Sequence, residues 1–478
     1  MNSLLDLRIL GFLVAAIGLV QWVPVGAALW FGERSFPLVA SSLASLVIGL
    51  SVALPARPVD ASLRNRDGFL VVSFGWILAS LFGALPYAIS DVLGPVDSLF
   101  ESVAGFTTTG STVLRDIEAV PRSLLLWRAI TQWLGGMGII VFALAILPIL
   151  GIGGMQLFKA EIPGPTADKL RPRIVSTARR LLYIYVGFTV VEAVLLSFAG
   201  LSFYDAACHA LTTVSTGGFS TRNASIGAFE SVAVEWIVIV FMACGGINFA
   251  LHYRLLRGDV RTVLRDTELR YFAGLILLST AAITLLLHGA GLEAGHELRT
   301  ALFHALSIIT TTGFGTSDFE AWPSLALVIL VQLMILGGMA GSTSGGVKDV
   351  RVILSFRVLR NVLARGLHPR AMAIVKYGGQ TVPLDVLAGV WAFLTVYGLI
   401  AIGATGVMAY AGYDLVTAFT SALTAIGNVG PGIGATGPSE SFADVPAFAK
   451  LTLAFCMLAG RLEVYTLIML LLPGFWRR

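Results

Sequence analysis

The sequence predicts an all-α integral membrane protein. It has four tandem helix–pore-helix–helix repeats around a pseudo-fourfold axis, preceded by two extra N-terminal transmembrane helices. Three observations carry this reading. The 478 residues are 56% hydrophobic and only 13% charged, with mean hydropathy +0.85, whereas soluble proteins carry about 25% charged residues. Ten stretches approach the roughly 20 apolar residues that a bilayer span requires. One short pattern recurs four times along the chain.

In chain order, Ile9–Phe31 and Phe36–Pro55 form the N-terminal pair within residues 1–66. Repeat one (67–158) holds Gly68–Ile89 and Ala129–Leu150, and repeat two (159–256) holds Leu181–Leu201 and Trp236–Leu251. Repeat three (257–376) holds Tyr271–Leu287 and Pro323–Ala340, and repeat four (377–478) holds Val386–Tyr413 and Leu451–Leu472. The first span is too long for a signal-peptide core and is read as an anchor. With the N-terminus inside, 24 of the 32 Lys and Arg fall on the cytoplasmic side and seven in the outer loops. Positive charge favours the inside, so both termini are expected in the cytoplasm, and a bacterial inner (plasma) membrane is the expected location. The outer segments hold 16 of the 28 acidic residues, which concentrates cations there. Cys208, Cys244 and Cys456 are far apart and odd in number, so no disulfide framework or metal knuckle is expected.

The recurring segments are Phe100–Gly110, Cys208–Gly218, Phe303–Gly313 and Thr420–Gly430, which align without gaps. Their closing glycines are 108, 95 and 117 residues apart, the signature of an internal repeat. Each segment is too short and too polar at its end to cross a bilayer, and each sits on the outer side between two full spans. A helix that stops halfway leaves carbonyls at membrane depth, tolerated only inside protein or beside a watery cavity. A helix C-terminus favours cations, and glycine lets successive carbonyls turn toward one axis. Four such ends make a ring of oxygens able to replace the water shell of an ion, the device of the potassium-channel filter. A lone glycine in a membrane helix is more often a packing feature. Four at matched positions outweigh that reading.

The segments Thr107–Thr112, Thr213–Phe219, Thr310–Phe314 and Gly427–Pro431 resemble the Trk/Ktr/HKT superfamily of potassium transporters, and most of all its Trk-type membrane subunit. The resemblance covers nearly the whole chain, including the extra N-terminal pair. It implies one ion pathway per chain, a homodimer in the lipid bilayer, and gating by a cytosolic nucleotide-binding, TrkA-like regulatory ring. It implies K+ as the transported ion and no organic cofactor. K+ would meet the backbone carbonyls of Thr108, Thr109 and Gly110, of Thr216, Gly217 and Gly218, of Thr311, Thr312 and Gly313, and of Asn428, Val429 and Gly430. A serine at the first of these glycines accompanies sodium selectivity in plant relatives. Gly110 stands there in this chain and argues for potassium.

Gly337–Gly346 packs five glycines into ten residues, and each costs a helix about 1 kcal/mol relative to Ala. A flexible break below the filter is expected, with Gly337, Gly338, Gly341, Ser342, Gly345 and Gly346 as gate residues. The resemblance adds an intramembrane gating loop at this place. Gly341–Lys348 echoes a phosphate-binding loop, but its lysine comes one position late and Asp349 follows where Ser or Thr belongs. Arg461 lies in the middle of the last span, where a charge needs a partner. Glu463 cannot face it from two residues away, so Arg461 is expected to meet the pore or another span's carbonyls and to act with the break as the gate, with a purely structural pairing as the alternative. Glu192 is also intramembrane and is read as either packing or function. His209 and His304, at one repeat position, read as polar groups that satisfy backbone, with a proton-linked role the lesser alternative. The basic stretch Lys348–Lys376 suits a lipid or protein partner rather than nucleic acid. No hydrolytic motif is visible, so an intramembrane enzyme is disfavoured. Channel-like uptake is preferred to an alternating-access cation symporter, because carriers show two repeated halves and this chain shows four short repeats.

Overall fold

The computed structural model describes residues 3–56, 65–145, 170–289, 296–368 and 374–476. The expected repeat boundary at 158/159, the inner end of the span read as 129–150 and the basic residues at 57, 64, 159, 169, 370, 477 and 478 lie outside these. The N-terminal pair is α1 (Ser3–Val20) with α2 (Trp22–Phe31), then α3 (Phe36–Ala53). Repeat one is α4 (Asn65–Ile89), α5 (Pro95–Phe106) and α6 (Arg122–Ala145). Repeat two is α7 (Leu170–Phe198), α8 (Phe203–Val214), α9 (Val232–Gly246) and α10 (Phe249–Leu256), followed by the short α11 (Val260–Arg265). Repeat three is α12 (Thr267–Gly289), α13 (His296–Ile309), α14 (Ser324–Leu336) and α15 (Asp349–Leu367). A hairpin of β1 (Lys376–Tyr377) and β2 (Gln380–Thr381) precedes repeat four, which is α16 (Leu384–Tyr410), α17 (Leu415–Gly427), α18 (Ala447–Arg461), α19 (Tyr465–Leu471) and the last turn α20 (Pro473–Trp476).

Of the short helices α5, α8, α13 and α17, the first, second and fourth begin where their sequences provide caps. Pro95 opens α5, where a missing N–H costs nothing. Ser202 Oγ accepts from Asp205 N at 3.1 Å, and Asp414 Oδ1 accepts from Val416 N and Thr417 N at 2.9 and 3.1 Å, satisfying orphan donors. The N-terminal pair is pinned to repeat one by Glu33, whose carboxylate accepts from Arg122 N and Ser123 N at the start of α6.

Six helices among the described residues are long and apolar enough to cross a membrane, and eight if each bent pair is one span. This corrects the straight spans expected at Trp236–Leu251, Pro323–Ala340 and Leu451–Leu472. The chain turns by 104° between α9 and α10, and by 115° between α18 and α19. At the first bend Asn248 Oδ1 caps Ala250 N at 2.9 Å and starts a new helix. At the second, Glu463 and Val464 adopt φ of 61° and 55°, a left-handed turn that costs a β-branched residue. α14 spans only 13 residues and ends at Gly337, with φ 76°. The hairpin turn at Gly378 and Gly379, φ 56° and 84°, was not foreseen. Paired left-handed glycines suit a tight two-residue turn.

Candidate functional site

The four short helices end in the same way. Thr108, Thr216, Thr311 and Asn428 have φ between 52° and 56°, and Gly110, Gly218, Gly313 and Gly430 have φ between 79° and 113°. Thr109 N and Gly110 N both donate to Ala104 O, Gly217 N and Gly218 N to Thr212 O, and Thr312 N and Gly313 N to Ser307 O. Val429 N donates to Thr424 O in the fourth repeat. In a trans peptide the C=O points opposite to the N–H. Amides turned back onto the helix therefore send the preceding carbonyls away from it.

Where those carbonyls go is set by the glycines. A Cβ on Gly110 would meet Gly217 O, one on Gly218 would meet Thr312 O, one on Gly313 would meet Val429 O, and one on Gly430 would meet Thr109 O, each closer than 3.0 Å. Each glycine thus seats the carbonyl of the next repeat, and the sequence one–two–three–four–one closes on itself. A cavity of about 610 Å3 opens above it, lined by Gly110, Gly218, Gly313 and Gly430 among others.

A second closed ring holds the outer loops. Asn223 Oδ1 accepts from Ile117 N at 2.7 Å, joining repeats one and two. Gly227 N donates to Gly315 O at 3.1 Å, joining two and three. Glu320 Oε1 accepts from Gly434 N at 2.5 Å, joining three and four. Phe442 N donates to Thr112 O at 2.8 Å, joining four and one.

Behind these strands, the second residue of each repeated segment is fully buried and braces the descending loop. Glu101 accepts from Thr112 Oγ1 and Val113 N, both at 2.9 Å. His209 Nε2 lies 2.9 Å from Ser220 Oγ, His304 Nε2 lies 3.2 Å from Ser317 O, and Ser421 Oγ lies 2.7 Å from Thr436 Oγ1. The two histidines also meet the helix carbonyls Asp205 O and Thr300 O. They serve as struts, the structural role expected for them. Sequence reasoning missed Arg128, whose Nε donates to Glu101 at 2.6 Å while both side chains are at most 2% exposed. Its Nη1 donates to Ser220 O, and its guanidinium lies 3.7 Å from the Phe219 ring centre. Nothing in the sequence pairs Arg128 with Glu101, 27 residues earlier.

The glycine-rich loop packs against the inner end of this ring. Gly345 N donates to Thr311 Oγ1 at 2.7 Å and Gly346 N to Gly427 O at 2.9 Å. Thr343 Oγ1 lies 3.2 Å from Thr216 Oγ1 and donates to Val214 O at 3.1 Å. Gly337, Gly341 and Gly346 take φ of 73–76°, and Gly337 and Gly346 sit face to face where neither tolerates a Cβ. Beside them a Cβ on Gly338 would overlap Ser344, and Ser342 Oγ donates to Met339 O at 2.6 Å. Arg461 is 2% exposed. Its Nη1 donates to Thr343 O at 2.6 Å and its Nη2 to Gly135 O of α6 at 3.3 Å. It meets carbonyls of other spans, as its depth required, but it stands at the end of α18 beside the bend and not in mid-span. Glu463 pairs with Arg351 of α15, whose guanidinium also covers the Phe393 ring. Glu192 is fully buried on α7 beside Thr213, yet outside hydrogen-bond geometry with it.

Four re-entrant helices whose ends converge between apolar spans define a multi-pass membrane protein of the pore-loop class. The model of the TrkH family, described as cation transport protein, matches residues 37–474, and the chain belongs to that family. It is a transporter and not an enzyme. It is 40% identical to the Trk system potassium uptake protein TrkH of Halomonas elongata over 488 residues, covering 100% of both chains. The protein of the same name from Escherichia coli K12 is 40% identical, with 98% of each chain covered. The crystal structure of the potassium transporter TrkH from Vibrio parahaemolyticus superposes with a TM-score of 0.92 at 37% identity, covering 100% of both chains.

Proposed function

We propose that this chain takes up potassium across the bacterial inner membrane by a channel-like route, with both termini in the cytoplasm. Its selectivity filter is the carbonyl ring of Thr108, Thr109 and Gly110 and their equivalents in the other three repeats. The observation that carries this reading is the cyclic seating of each ring glycine on the next repeat's carbonyl. A closed ring of oxygens can replace the hydration shell of a monovalent cation. The names of the relatives supply potassium as the ion. The loop Gly337–Gly346, tied by Arg461, is the gate, since its bonds fall on the inner end of the ring.

The test is ion flux from reconstituted protein with potassium, rubidium, sodium and lithium. Gly110→Ser places a side chain on Gly217 O and lowers the potassium preference. Unchanged selectivity in single Gly→Ser variants at Gly110, Gly218, Gly313 and Gly430 overturns the filter. The family resemblance supplies two partners, a second copy of the chain and a cytosolic nucleotide-binding ring. α15 supports the latter, because it exposes Arg360 and Arg365 on the expected inner face. Charge reversal at Arg357, Arg360 and Arg365 should weaken that assembly and leave selectivity intact. A nucleotide response in the membrane chain alone would refute the regulatory partner.

A further inference from the structure

Repeat two departs from the filter pattern at one position. The residue before the ring glycine is Thr109, Thr312 or Val429 in the other repeats, and Gly217 here. β-Branched residues hold the backbone of three strands stiff. A peptide between two glycines turns over cheaply, so the Gly217–Gly218 pair is the softest quarter of the ring by composition.

The structure fills that place with a side chain from the neighbouring repeat. Gln132 of α6 is fully buried. Its Nε2 donates to Gly217 O at 2.6 Å, and its Oε1 accepts from Phe219 N at 3.0 Å. One amide therefore clamps the strand on both sides of Gly218. A Cβ on Gly217 would run into this same amide, so the missing side chain and the inserted one account for each other. Gly217 O is also the oxygen seated against Gly110. The clamp acts on a member of the ring itself.

Counting along the second spans supports the pairing. Gly135, Gly245 and Gly460 pack on the carbonyls of Phe106, Val214 and Ile426, each four residues before its own ring glycine. Three residues before them stand Gln132, Met242 and Met457, and Met334 stands three before Gly337, all fully buried. Methionine goes with a β-branched filter residue in the next repeat, and glutamine with glycine.

We infer that Gln132 is a specificity-determining positioning residue, which fixes the Gly217 carbonyl and replaces the stiffness that a β-branched residue gives the other three strands. This rests on the filter reading above. The experiment is potassium and sodium flux from reconstituted full-length protein, with Gly110→Ser run in parallel. Gln132→Met should still conduct but lose about fivefold in potassium-over-sodium preference, the scale of one hydrogen bond. Gly217→Thr alone should lose transport, because its side chain collides with Gln132. The double variant Gln132→Met with Gly217→Thr, which gives this seam the pairing of the others, should regain both transport and preference. A merely structural glutamine would move stability and leave the ratio alone. If Gln132→Met does not assemble, Gln132→Leu carries the same test. Parental preference in the glutamine variant, while Gly110→Ser has lost it, overturns the inference and leaves the filter standing. Parental preference in both, and in the Gly→Ser variants at Gly218, Gly313 and Gly430 as well, overturns the two together.

Discussion

Removing the charge of Arg461 should open a leak. The guanidinium is buried, holds Thr343 O at 2.6 Å and Gly135 O at 3.3 Å, and so bridges the loop of repeat three to α6 of repeat one. Thr343 in turn reaches Thr216, at the inner end of the ring, through a contact of 3.2 Å. For an ion leaving the filter at a separation of ~8 Å, an effective dielectric of ~20 gives about 2 kcal/mol of repulsion. Such a barrier slows passage by a factor of about 30. Arg461→Gln keeps an amide donor for Thr343 O and removes the charge. The assay is rubidium flux into proteoliposomes without any cytosolic partner. We expect basal flux to rise by about 30-fold, with the potassium-to-sodium ratio unchanged. A variant that elutes and melts like the parent and leaks no more than it would refute the reasoning. The arginine would then be a structural tie and the gate would lie elsewhere.

Glu101→Gln leaves Arg128 buried without its anion, a change of the kind that costs about 3–5 kcal/mol; thermal melting should fall sharply, and parental melting would contradict the buried pair. Glu463→Gln removes the tie to Arg351 that joins the bend after α18 to the start of α15. Basal flux should rise with selectivity kept, and flux equal to the parent's would show that the two breaks move independently. Asp414 caps α17, and its carboxyl is held below its ordinary value of 3.8, first by the Thr417 hydroxyl. A depressed folded value means that its stabilisation is complete above about pH 4 and is lost as the pH falls through the lower folded value. Asp414→Asn should flatten the acid side of the melting profile below about pH 4, and an unchanged profile would remove Asp414 from the acid response.

The repeats were legible because their glycines are a backbone requirement. A left-handed turn and a seat for a neighbouring carbonyl leave no freedom at those positions, so the pattern survives in the letters. The break at Gly337–Gly346 was legible for the same reason. The bend at Ile247 and Asn248 had a signal that the apolar run concealed, two glycines followed by a capping Asn. The bend at Glu463 and Val464 had none, because neither residue favours the turn by itself. It is fixed by contacts over a long sequence distance, Glu463 to Arg351 and Arg461 to Thr343. Gln132 and Arg128 were invisible for the converse reason. Each reads as an isolated polar residue near an apolar stretch until the fold lays α6 along the filter strand of the next repeat.

The seam between repeats four and one has a consequence for synthesis. Ser111 donates to Gly430 O at 2.8 Å and Asn428 Nδ2 to Thr109 Oγ1 at 2.9 Å, each across 319 residues of chain. The ribosome must therefore release nearly the whole polypeptide before the first quarter can meet the last. An unfinished or truncated chain has three sides of a ring and no closed set of oxygens. The ring of carbonyls is complete only at the final docking step, when repeat four meets repeat one.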